Sequence, residues 1–569
     1  MKTILTTLNA KYIHTSLALR WLYVVNKNKF DISFKEYAIK EDVNKIYEEL
    51  IDCQTEIIGL GVYIWNVKQS KLLVDKLKSL NPNLIIILGG PEVSYEPEFF
   101  IENWDIDYVI SGEGEFVLGE LLTCLNDSKQ NGVLHKHTNY NINGVSTKGH
   151  ISKHIVQADI NQLINYQSPY QLEEDLPNLK NRLVYFESSR GCPYQCQYCL
   201  SSLEKGVRYF PENYIKKNLS YLIDSGAKQV KFLDRTFNLN KKHTKRIFDF
   251  LIDNHRPNLS FQFEIYADLL NDDTITYINE LVPEKYFRFE IGIQSTFEPT
   301  NIEVKRKQDF QLLANNIKML MDGGKVDLHL DLIAGLPYES FERFVKSFND
   351  VFKLGAKEVQ LGFLKLLRGT NLRRDAEKYG YKFNEEAPYE IIESKDITAE
   401  ELNRIKDAEH ALEKFWNSGR FTRTMNLLFK SHYFEKYFEL FDEIGQYYNE
   451  HNLPHHSYQL EDLFNAINDF LITKGINAFE TLRDDYYSNF TTRPTRFWTD
   501  DTSKEERKAM LYKIGQDKEF LNKHKLNRKI IEKQTAINKL NNENYLLTLF
   551  LQQKNIKIHL NIVYVCKNT

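Results

Sequence analysis

The chain is most informative between positions 189 and 199, which read Ser189-Arg190-Gly191-Cys192-Pro193-Tyr194-Gln195-Cys196-Gln197-Tyr198-Cys199. Three of the six cysteines of the chain fall in this stretch, with the spacing C-x3-C-x2-C. Thiolates this close in sequence can bind a single metal centre, and soft sulfur ligands favour zinc or an iron–sulfur cluster. The stretch therefore predicts a metal site.

The number of thiolates narrows the choice of metal. A structural zinc site takes four ligands, and no His or Cys follows nearby at the spacing of a zinc finger. A four-iron cluster held by Cys192, Cys196 and Cys199 would leave one iron without a protein ligand, which is the open position that a catalyst needs. The alternative is a three-cysteine zinc loop, or thiols that bind nothing.

The C-x3-C-x2-C run resembles the signature of radical S-adenosylmethionine (SAM) enzymes. In that family the open iron of a 4Fe-4S cluster binds SAM, and the reduced cluster cleaves SAM to methionine and a 5'-deoxyadenosyl radical. The resemblance implies that Cys192, Cys196 and Cys199 are the metal ligands and the catalytic cysteines. It also implies a cofactor-binding role for Tyr198, which lies inside the motif.

Composition sets broader bounds on the protein. A chain of 569 residues is long enough for about three or four domains. Its 74 Lys and Arg residues against 78 Asp and Glu residues give a net charge of -4, so overall charge does not favour binding to nucleic acid or to a membrane. The sequence has no apolar run of transmembrane length and no signal-peptide pattern at its start, and a cytoplasmic location is expected.

Residues 1–135 alternate short apolar runs with amphipathic stretches, which is typical of a flavodoxin-like (Rossmann-type) α/β fold. The predicted strands are Thr3 to Leu8, Asp31 to Tyr37, Ile57 to Ile64, Leu84 to Leu88 and Tyr108 to Ile110. The predicted helices are Thr15 to Val25, Glu41 to Ile51, Lys68 to Leu80 and Glu115 to Cys124. Ligands of such sheets bind beyond the carboxyl ends of the strands.

Glycines and polar residues gather at those carboxyl ends, where Leu-Gly-Gly-Pro-Glu and Ser-Gly-Glu-Gly-Glu resemble the cobalamin-binding domain of one large radical SAM subclass. The resemblance implies cobalamin contacts from Asn9, His14, Trp65, Gly89, Gly90, Glu92, Gly112, Glu113, Gly114 and Glu115. The D-x-H-x-x-G segment that supplies a histidine to cobalt in other cobalamin proteins is missing. A cobalamin here is therefore expected to lack a protein histidine ligand. The alternative is a vestigial flavodoxin-like domain that binds nothing.

Residues 136–180 are polar and rich in Asn, and are interpreted as a linker. Residues 181–385 resume the alternation of strands and helices and resemble the partial (β/α)6 barrel of the radical SAM fold. Its predicted strands are Leu183 to Glu187, Gln229 to Leu233, Ser260 to Tyr266, Phe287 to Ile293, Asp327 to Ile333 and Glu358 to Phe363. The first of these strands leads into the cysteines, so the cluster is expected at the carboxyl end of the barrel, where barrel chemistry belongs.

Three later segments resemble SAM-binding elements of the same family. Asp234 follows the second barrel strand, where the family contacts the SAM amino group, and Gln294-Ser295 match the segment that faces the SAM ribose and carboxylate. Gly335 lies in a segment similar to the family's Asp-x-x-x-Gly-Leu-Pro-Gly-Glu. The chain departs from the family pattern at Tyr338, which replaces Gly, and at Arg368, which replaces Pro. Polar capping of strand ends is the alternative for Asp234, Gln294 and Ser295.

Residues 386–569 are expected to form a mostly α-helical C-terminal extension. The predicted helices are Thr398 to Asn417, Arg420 to Tyr447, Leu460 to Lys474 and Asn477 to Phe490. The His455-His456 pair follows Pro454, and without further ligands at a fixed spacing it is interpreted as a surface loop rather than a metal site. The region resembles a radical SAM subgroup whose extension has no assigned function, and it is expected to select the substrate.

The resemblance predicts an enzyme with a 4Fe-4S cluster, SAM and cobalamin, which transfers a methyl group to an unactivated carbon. The alternatives are a cobalamin-assisted cyclisation or rearrangement, or a cluster-bearing redox sensor or RNA-binding protein without turnover. The acidic net charge argues against RNA binding. The expected partners are a substrate that is a small molecule, a peptide or a tRNA, and an electron donor of the flavodoxin or ferredoxin type, with no membrane.

Overall fold

The computed structural model describes residues 1–51, 54–204, 206–431, 433–491, 502–539, 544–553 and 556–565. The chain divides into two units, Met1–Leu402 and Asn403–Thr569. No helix within the described ranges is both long and apolar enough to cross a membrane.

The first sheet is built from short apolar strands at the predicted positions. Its strands are β1 (Thr3–Asn9), β2 (Ile32–Ala38), β3 (Ile57–Gly61), β4 (Ile85–Gly89), β5 (Tyr108–Ile110) and β6 (Val145–Ser146). The first five run parallel in the order β2-β1-β3-β4-β5, and β6 pairs antiparallel with β5. All of β1 is buried, as expected for a central parallel strand that is covered on both faces.

Helices cover both faces of this sheet and complete two apolar cores. They are α1 (Leu17–Asn26), α2 (Val43–Ile51), α3 (Val67–Leu80), α4 (Pro97–Asn103) and α5 (Glu115–Gln130). Leu73, Val74 and Leu77 of α3 are completely buried in one core, and Leu118, Leu121 and Leu122 of α5 are buried in the other. The helical spacing of these apolar residues fixes which side of each helix faces the sheet.

The segment predicted to be a linker is partly ordered against this sheet. It supplies β6, the short helix α6 (Ile160–Leu163) and a backbone bridge between Val156 and Gly112. Gly112 has a φ of 99°, and a Cβ there would lie 2.3 Å from the Val156 carbonyl oxygen. Glycine therefore allows the two backbones to meet directly at the carboxyl edge of the sheet.

The second sheet is the predicted partial barrel, with parallel strands in chain order from one edge to the other. Its strands are β7 (Leu183–Phe186), β10 (Gln229–Phe232), β11 (Ser260–Glu264), β12 (Phe287–Gln294), β13 (Asp327–Ala334) and β14 (Glu358–Phe363). A two-stranded ribbon, β8 (Ser189–Arg190) and β9 (Arg208–Tyr209), follows β7. The barrel helices are α7 (Glu212–Asp224), α8 (Lys241–Asp253), α9 (Asp272–Leu281), α10 (Glu298–Glu303), α11 (Phe310–Gly323), α12 (Phe341–Phe352) and α13 (Asn371–Arg374), and the short strands β15 (Lys382–Phe383) and β16 (Ile391–Glu393) end the region.

The C-terminal unit begins within α14 and is mostly helical. Its helices are α14 (Ala399–Leu412), α15 (Thr422–Lys430), α16 (Tyr437–Glu450), α17 (Leu460–Thr473), α18 (Phe479–Asn489), α19 (Lys504–Gln516), α20 (Lys518–His524) and α21 (Arg528–Lys533). The long helix predicted from Arg420 to Tyr447 is instead two helices. The Glu439 carboxylate accepts hydrogen bonds from the backbone of Glu435 and Lys436 and so caps a new helix start.

An antiparallel sheet at the end of this unit was not predicted. It consists of β17 (Thr535–Lys539), β18 (Asn544–Gln553) and β19 (Ile556–Val565) in that order. Tyr545, Leu547 and Leu549 alternate along β18 and pack into a core with Ile514 and Ile531 of the preceding helices. This period of two was the available sequence signal.

Candidate cofactor site

The cysteines lie in a loop that the ribbon of β8 and β9 closes, just beyond the carboxyl end of β7. Gly191 comes between β8 and Cys192 with a φ of 89°, and a Cβ added to it would lie 2.1 Å from the Gly206 carbonyl oxygen. Only glycine fits this close approach, since every other residue carries a Cβ. The residue before the first cysteine therefore sets the path of the loop.

Backbone hydrogen bonds hold the loop to the barrel. The Gln197 backbone N–H donates to Val304 O at 3.0 Å, and its side chain donates to Glu303 O at 2.8 Å. The ring of Tyr194 stacks on that of Tyr266 with centroids 4.3 Å apart. The loop that carries the cysteines is thus fixed on both sides of Cys196.

The three cysteines line one cavity of about 260 Å³ at the barrel mouth. Cys196 is buried, and Cys192 and Cys199 are half-buried. Burial raises the pKa of the Cys192 thiol, so a metal that binds there must displace its proton. The cavity therefore offers three sulfur ligands, one of them buried and two half-buried.

A cluster and a single ion place different demands on three thiolates. One tetrahedral zinc ion with Zn–S bonds of about 2.3 Å brings its thiolates to about 4 Å from one another. A four-iron cluster instead binds each thiolate to a different iron atom. Three cysteines of one loop that line one cavity fit the cluster that the sequence predicts.

The end of β12 brings Gln294 into the same cavity. Its φ of 69° and a shift in register between Gly292 and Gln294 turn the side chain back across the strand. A Cβ on Gly292 would lie 2.3 Å from Gln294 Nε2, so glycine leaves the space that the amide occupies. Gln294 Oε1 is buried and has no hydrogen-bond partner within the described structure. This acceptor is available to the SAM that the sequence predicts here.

Arg306 is a cavity residue that the sequence analysis missed. Its guanidinium donates to the hydroxyls of Tyr266 at 2.9 Å and Tyr198 at 3.3 Å, and to the Gly292 carbonyl oxygen. Other polar residues that line the cavity are Arg235, Glu264, Glu290 and Asp331. Glu264, Glu290 and Asp331 lie on three neighbouring strands and Arg235 follows β10. Only their position in the barrel identifies them.

Asp234 and Ser295 lie close to the cavity but are occupied by protein partners. Asp234 is buried and accepts hydrogen bonds from Ser188 N at 2.9 Å and from the hydroxyls of Ser188 and Ser189 at 2.6 Å. Burial raises the pKa of Asp234 to about 6. Ser295 donates to Glu339 Oε1 at 2.7 Å. Both positions fit the capping interpretation, and their contact with SAM stays a prediction.

Gly335 also lies outside the residues that line this cavity. A Cβ there would lie 2.1 Å from Ile391 Cδ1, and the Gly335 carbonyl oxygen accepts a hydrogen bond from Tyr381. The glycine therefore allows β16 to pack against the end of β13.

The predicted cobalamin loops of the first sheet meet the barrel through Arg190. Its guanidinium lies 3.0 Å from Glu113, 2.8 Å from Glu115 and 2.8 Å from Glu187. Burial alone would raise the pKa of Glu113, but a hydrogen bond from Arg208 and the charge of Arg190 hold it below its ordinary value. These ion pairs connect the carboxyl edge of the first sheet to Arg190, two residues before Cys192.

A second contact explains the departure from the family pattern at Arg368. Arg368 Nη1 lies 2.7 Å from Glu96 Oε2, and its guanidinium stacks 3.7 Å from the centre of the Phe99 ring. The Tyr389 hydroxyl donates to the Glu92 carboxylate, and burial raises the pKa of Glu92. Glu92 is thus engaged by the barrel region rather than left for a ligand.

The other predicted cobalamin contacts of the first sheet differ in whether a protein partner already occupies them. Asn9 donates to His14 O, and the His14 ring nitrogen Nδ1 lies 2.9 Å from the Tyr185 hydroxyl. Gly90 has a φ of 105°, and a Cβ there would lie 2.6 Å from the Val62 carbonyl oxygen, whereas a Cβ on Gly89 or Gly114 would meet Ile110 at 4.0 or 3.3 Å. Trp65 is 46% exposed and stacks on Tyr63 with centroids 4.5 Å apart.

Two features at the carboxyl edge of the first sheet fit a large planar ligand. The exposed Trp65 face lies after β3, next to β1, where the order of the sheet reverses and ligands of this fold bind. Ser111, at the end of β5, has a buried hydroxyl without a partner among the described residues. The absence of a histidine ligand to cobalt stays a prediction, because the hydrogen bond from Tyr185 engages only Nδ1 of His14.

Three family models match successive parts of the chain. Residues 4–122 match a family described as B12 binding domain, and residues 186–351 match the radical SAM superfamily. Residues 377–561 match a family described as a protein of unknown function, DUF4080. The matches cover the first sheet, most of the barrel and the helical extension in the predicted order.

Two relatives cover only parts of the chain. A protein named uncharacterized methyltransferase PH0819, from Pyrococcus horikoshii, is 29% identical over 240 residues, which make up 40% of this chain and 50% of that protein. The cobalamin-dependent radical SAM methyltransferase TokK, from Streptomyces tokunonensis, is 26% identical over 200 residues, 33% of this chain and 28% of that protein. The chain thus matches half or less of the length of these two proteins.

A solved structure covers far more of the chain. The cobalamin-dependent SAM radical enzyme OxsB with aqua-cobalamin bound has a TM-score of 0.59 and 16% identity, over 89% of this chain and 82% of that chain. At this identity the likeness shows the fold. It confirms the predicted fold class.

Proposed function

We propose that this chain, which belongs to the radical SAM proteins that carry a B12-binding domain, methylates an unactivated carbon of its substrate. The cofactors of its two domain types are a 4Fe-4S cluster with SAM, and cobalamin. When bound, they supply the 5'-deoxyadenosyl radical and the methyl group, while the protein positions them and excludes water.

The observation that carries this proposal is the way the two ligand-binding edges meet. Arg190 joins Glu113 and Glu115, after the last parallel strand of the first sheet, to the strand that enters the cysteine loop. Gly369, in the barrel, lies against Tyr95 of the first domain, because a Cβ on Gly369 would be 2.3 Å from Tyr95 Cβ. A ligand on one edge would therefore face a ligand on the other, as methyl transfer between two cofactors requires.

Each residue of the barrel cavity has a distinct part in this proposal. Cys192, Cys196 and Cys199 bind the cluster, and Gln294 accepts a hydrogen bond from SAM through its unpaired Oε1. Arg306 is a second, positively charged contact, held in place by Tyr198 and Tyr266. Burial raises the pKa of Glu264, so this carboxyl is suited to hold a proton close to the reacting groups.

In the first domain, Trp65 and the loops around Gly89, Gly90, Gly112 and Gly114 would support cobalamin. Asn9 and His14 have a positioning role, since they bind to one another and to Tyr185. Glu92, Glu113 and Glu115 hold the domain against the barrel. Together these residues would hold cobalamin at the edge of the first sheet that faces the cysteine loop.

The proposal includes an electron donor of the flavodoxin or ferredoxin type. Pro193, Tyr194 and Gln195, on the outer side of the cysteine loop, line an open groove of about 1040 Å³ that also contains the exposed Lys305 and Lys307. A donor bound there would approach the cluster from outside the cavity. We also propose a reducing compartment such as the cytoplasm, because oxidation of the three thiols would remove the cluster ligands.

Anaerobic reconstitution with iron, sulfide and hydroxocobalamin tests the proposal. Iron, acid-labile sulfide and corrinoid are measured after gel filtration, and 5'-deoxyadenosine is measured after dithionite and SAM are added. The expected result is four irons and one corrinoid per chain, with formation of 5'-deoxyadenosine. A protein that binds cluster and SAM without cleaving SAM would overturn the proposed activity.

A triple Cys192→Ala, Cys196→Ala and Cys199→Ala variant is the matched control. It should lose iron and SAM cleavage but keep the corrinoid, since the two cofactors lie on different sheets. With SAM labelled by deuterium in its methyl group, methylcobalamin should gain three mass units. Cleavage without retained corrinoid would exclude the cobalamin-dependent part of the proposal.

A further inference from the structure

We propose that Asp407, His410 and His455 form a zinc site in the C-terminal unit. One ligand atom from each of the three side chains lies within 4.8 Å of the other two. All three residues are half-buried. The inference does not depend on the proposed function, because it concerns a region matched only by a family of unknown function.

Local and tertiary structure each bring part of this group together. Asp407 and His410 are three residues apart on α14, so their side chains lie on the same face of the helix. His455 comes from the segment that follows α16. Helix α16 itself packs closely on α14 at Gly445. A Cβ on Gly445 would lie 2.8 Å from Asp407 Cβ, so the absence of a side chain allows this approach.

The imidazole rings offer unused nitrogen atoms. Nδ1 of His410 and Nδ1 of His455 are both buried, and neither has a hydrogen-bond partner in the part of the chain that the structure describes. The two ring centroids are 4.5 Å apart. A buried nitrogen without a partner is unfavourable, and a metal ion would supply the missing partner at both rings.

The surrounding groups orient the ligands as a metal site requires. Asn449 Nδ2 donates to Asp407 Oδ2 at 2.6 Å, which fixes the carboxylate. His410 Nε2 lies 3.8 Å from Glu409 Oε2, so a carboxylate is close to the ring nitrogen that Nδ1 leaves free. The exposed ring of His456 is 5.9 Å from that of His410 and offers a further imidazole for the fourth position.

The ligand set and its size favour zinc. Two imidazoles and one carboxylate match the nitrogen and oxygen donors of zinc sites, whose bonds are about 2.0–2.2 Å long. At such bond lengths the ligand atoms would be about 3.4 Å apart, which small side-chain rotations from the present arrangement can reach. A magnesium or calcium ion would instead take oxygen ligands.

Lys414 lies next to the proposed zinc site and allows a second test of it. It lines the same small cavity, is buried, and lies 5.3 Å from the centre of the Tyr448 ring. A positive charge beside a cation site weakens metal binding. Lys414→Met should therefore tighten zinc binding by about tenfold. If Asp407, His410 and His455 only packed together and bound no cation, removing the charge of Lys414 would not change zinc binding.

The test uses the full chain with Cys192, Cys196 and Cys199 all changed to Ser, so that zinc cannot bind in the cysteine loop. The protein is stripped with a chelator and titrated with zinc against a chromophoric competitor. One zinc per chain is expected. His410→Ala and His455→Ala should each weaken binding by about 100-fold or more, since each removes a direct ligand.

His451→Ala is the matched control, because His451 is exposed and its Nδ1 already bonds to Tyr447 O at 2.9 Å. Its zinc affinity should stay within about twofold of the parent protein. Zinc should also raise the melting temperature of the parent but not of the His410 variant, and circular dichroism checks that each variant folds. Less than about 0.1 zinc per chain in the parent, or equal binding by a folded His410 and His455 double variant, would overturn the site.

Discussion

The two sets of candidate metal ligands in this molecule differ in how their residues are spaced along the chain. Cys192, Cys196 and Cys199 lie within eight residues of one another in a single loop. Asp407, His410 and His455 are distributed over a far longer stretch of chain, yet one ligand atom from each lies within 4.8 Å of the other two.

The difference follows from what each set would hold. A 4Fe-4S cluster is a body with several iron atoms, so its thiolates must stand apart and one loop can carry all of them. A single zinc ion is small and needs ligands that converge from several directions, which helices and loops far apart in sequence supply. Sulfur in one set and nitrogen with oxygen in the other keep the two metal chemistries separate.

Substitution of the cysteines alone tests whether the two metal sites are independent, and it should produce the largest effect. Any one of Cys192→Ser, Cys196→Ser or Cys199→Ser should lower SAM cleavage by about a thousandfold or more, because the cluster loses a ligand. Zinc content should be unchanged, and Cys124→Ser is the control for a thiol outside the loop. Iron and 5'-deoxyadenosine are measured together with zinc. A cysteine variant that kept full iron content would contradict the assignment.

Gly191→Ala tests whether the path of the cysteine loop sets the spread of its sulfurs. The new Cβ would collide with the Gly206 carbonyl oxygen, so we expect iron retention and SAM cleavage to fall by about tenfold or more. Gly226→Ala is the matched control, because Gly226 has a similar φ of 84° with no atom within 4 Å of the added Cβ. If both variants lost iron equally, backbone strain rather than the collision would be the cause.

The corresponding change next to Asp407, His410 and His455 is Gly445→Ala. Its expected effect, on zinc affinity, is smaller. A Gly to Ala change inside a helix usually stabilises by about 0.5–1 kcal/mol, but here the Cβ would push α16 away from Asp407. Zinc affinity should fall by about tenfold while iron content stays the same. Gly515→Ala in α19 is the control, since its Cβ would meet only side-chain atoms at 3.3 Å or more. Unchanged zinc affinity would show that the helices can separate without loss of the site.

The smallest net effect in the natural protein concerns the polar network next to the cysteine loop, where Ser188 Oγ bonds to Asp234 at 2.6 Å and to His243 Nε2 at 3.0 Å. Burial raises the pKa of Asp234 to about 6 and lowers that of His243 to about 4. As the pH falls from 6 to 4, Asp234 takes up its proton first in the folded state, which stabilises the fold. His243 takes up its proton first in the unfolded state, which destabilises the fold.

The two contributions have opposite signs and are each worth roughly 2–3 kcal/mol, so they should nearly cancel in the natural protein. Relative to the parent protein, the free energy of unfolding of His243→Gln should rise as the pH falls from 6 to 4.5, because the opposing contribution of His243 is removed. Relative to the same parent, Asp234→Asn should show a change of slope of the opposite sign. Urea unfolding at the two pH values measures both slopes. Equal slopes in the two variants would contradict the cancellation.

The sequence predicted the strands of both sheets because their signal is local. A run such as Ile57 to Leu60 is apolar at every position, and burial on both faces of a parallel sheet requires that pattern. The barrel strands and the order of the domains follow the same rule, and the family matches confirm the fold class. The C-terminal sheet escaped prediction, although Tyr545, Leu547 and Leu549 alternate with the period of a strand.

Candidate site residues fall into two groups when compared with the structure. Cys192, Cys196, Cys199 and Gln294 line the predicted cavity, since each follows a strand end that the sequence marks clearly. Glu92, Glu113 and Glu115 instead bind cations or hydroxyls of the barrel region. A carboxylate in a loop has the same sequence signal in both cases, because its partner lies far away along the chain.

The sequence by itself determined the cysteine spacing, the alternation of strands and helices, and the loops at the strand ends, because these depend on residues within one or two elements. Tertiary structure alone decided that Arg190 and Arg368 fasten the first domain to the barrel, that Arg306 enters the cavity, and that His455 meets Asp407 and His410. These pairings depend on how elements pack, and contacts between residues distant in sequence leave no local pattern to read.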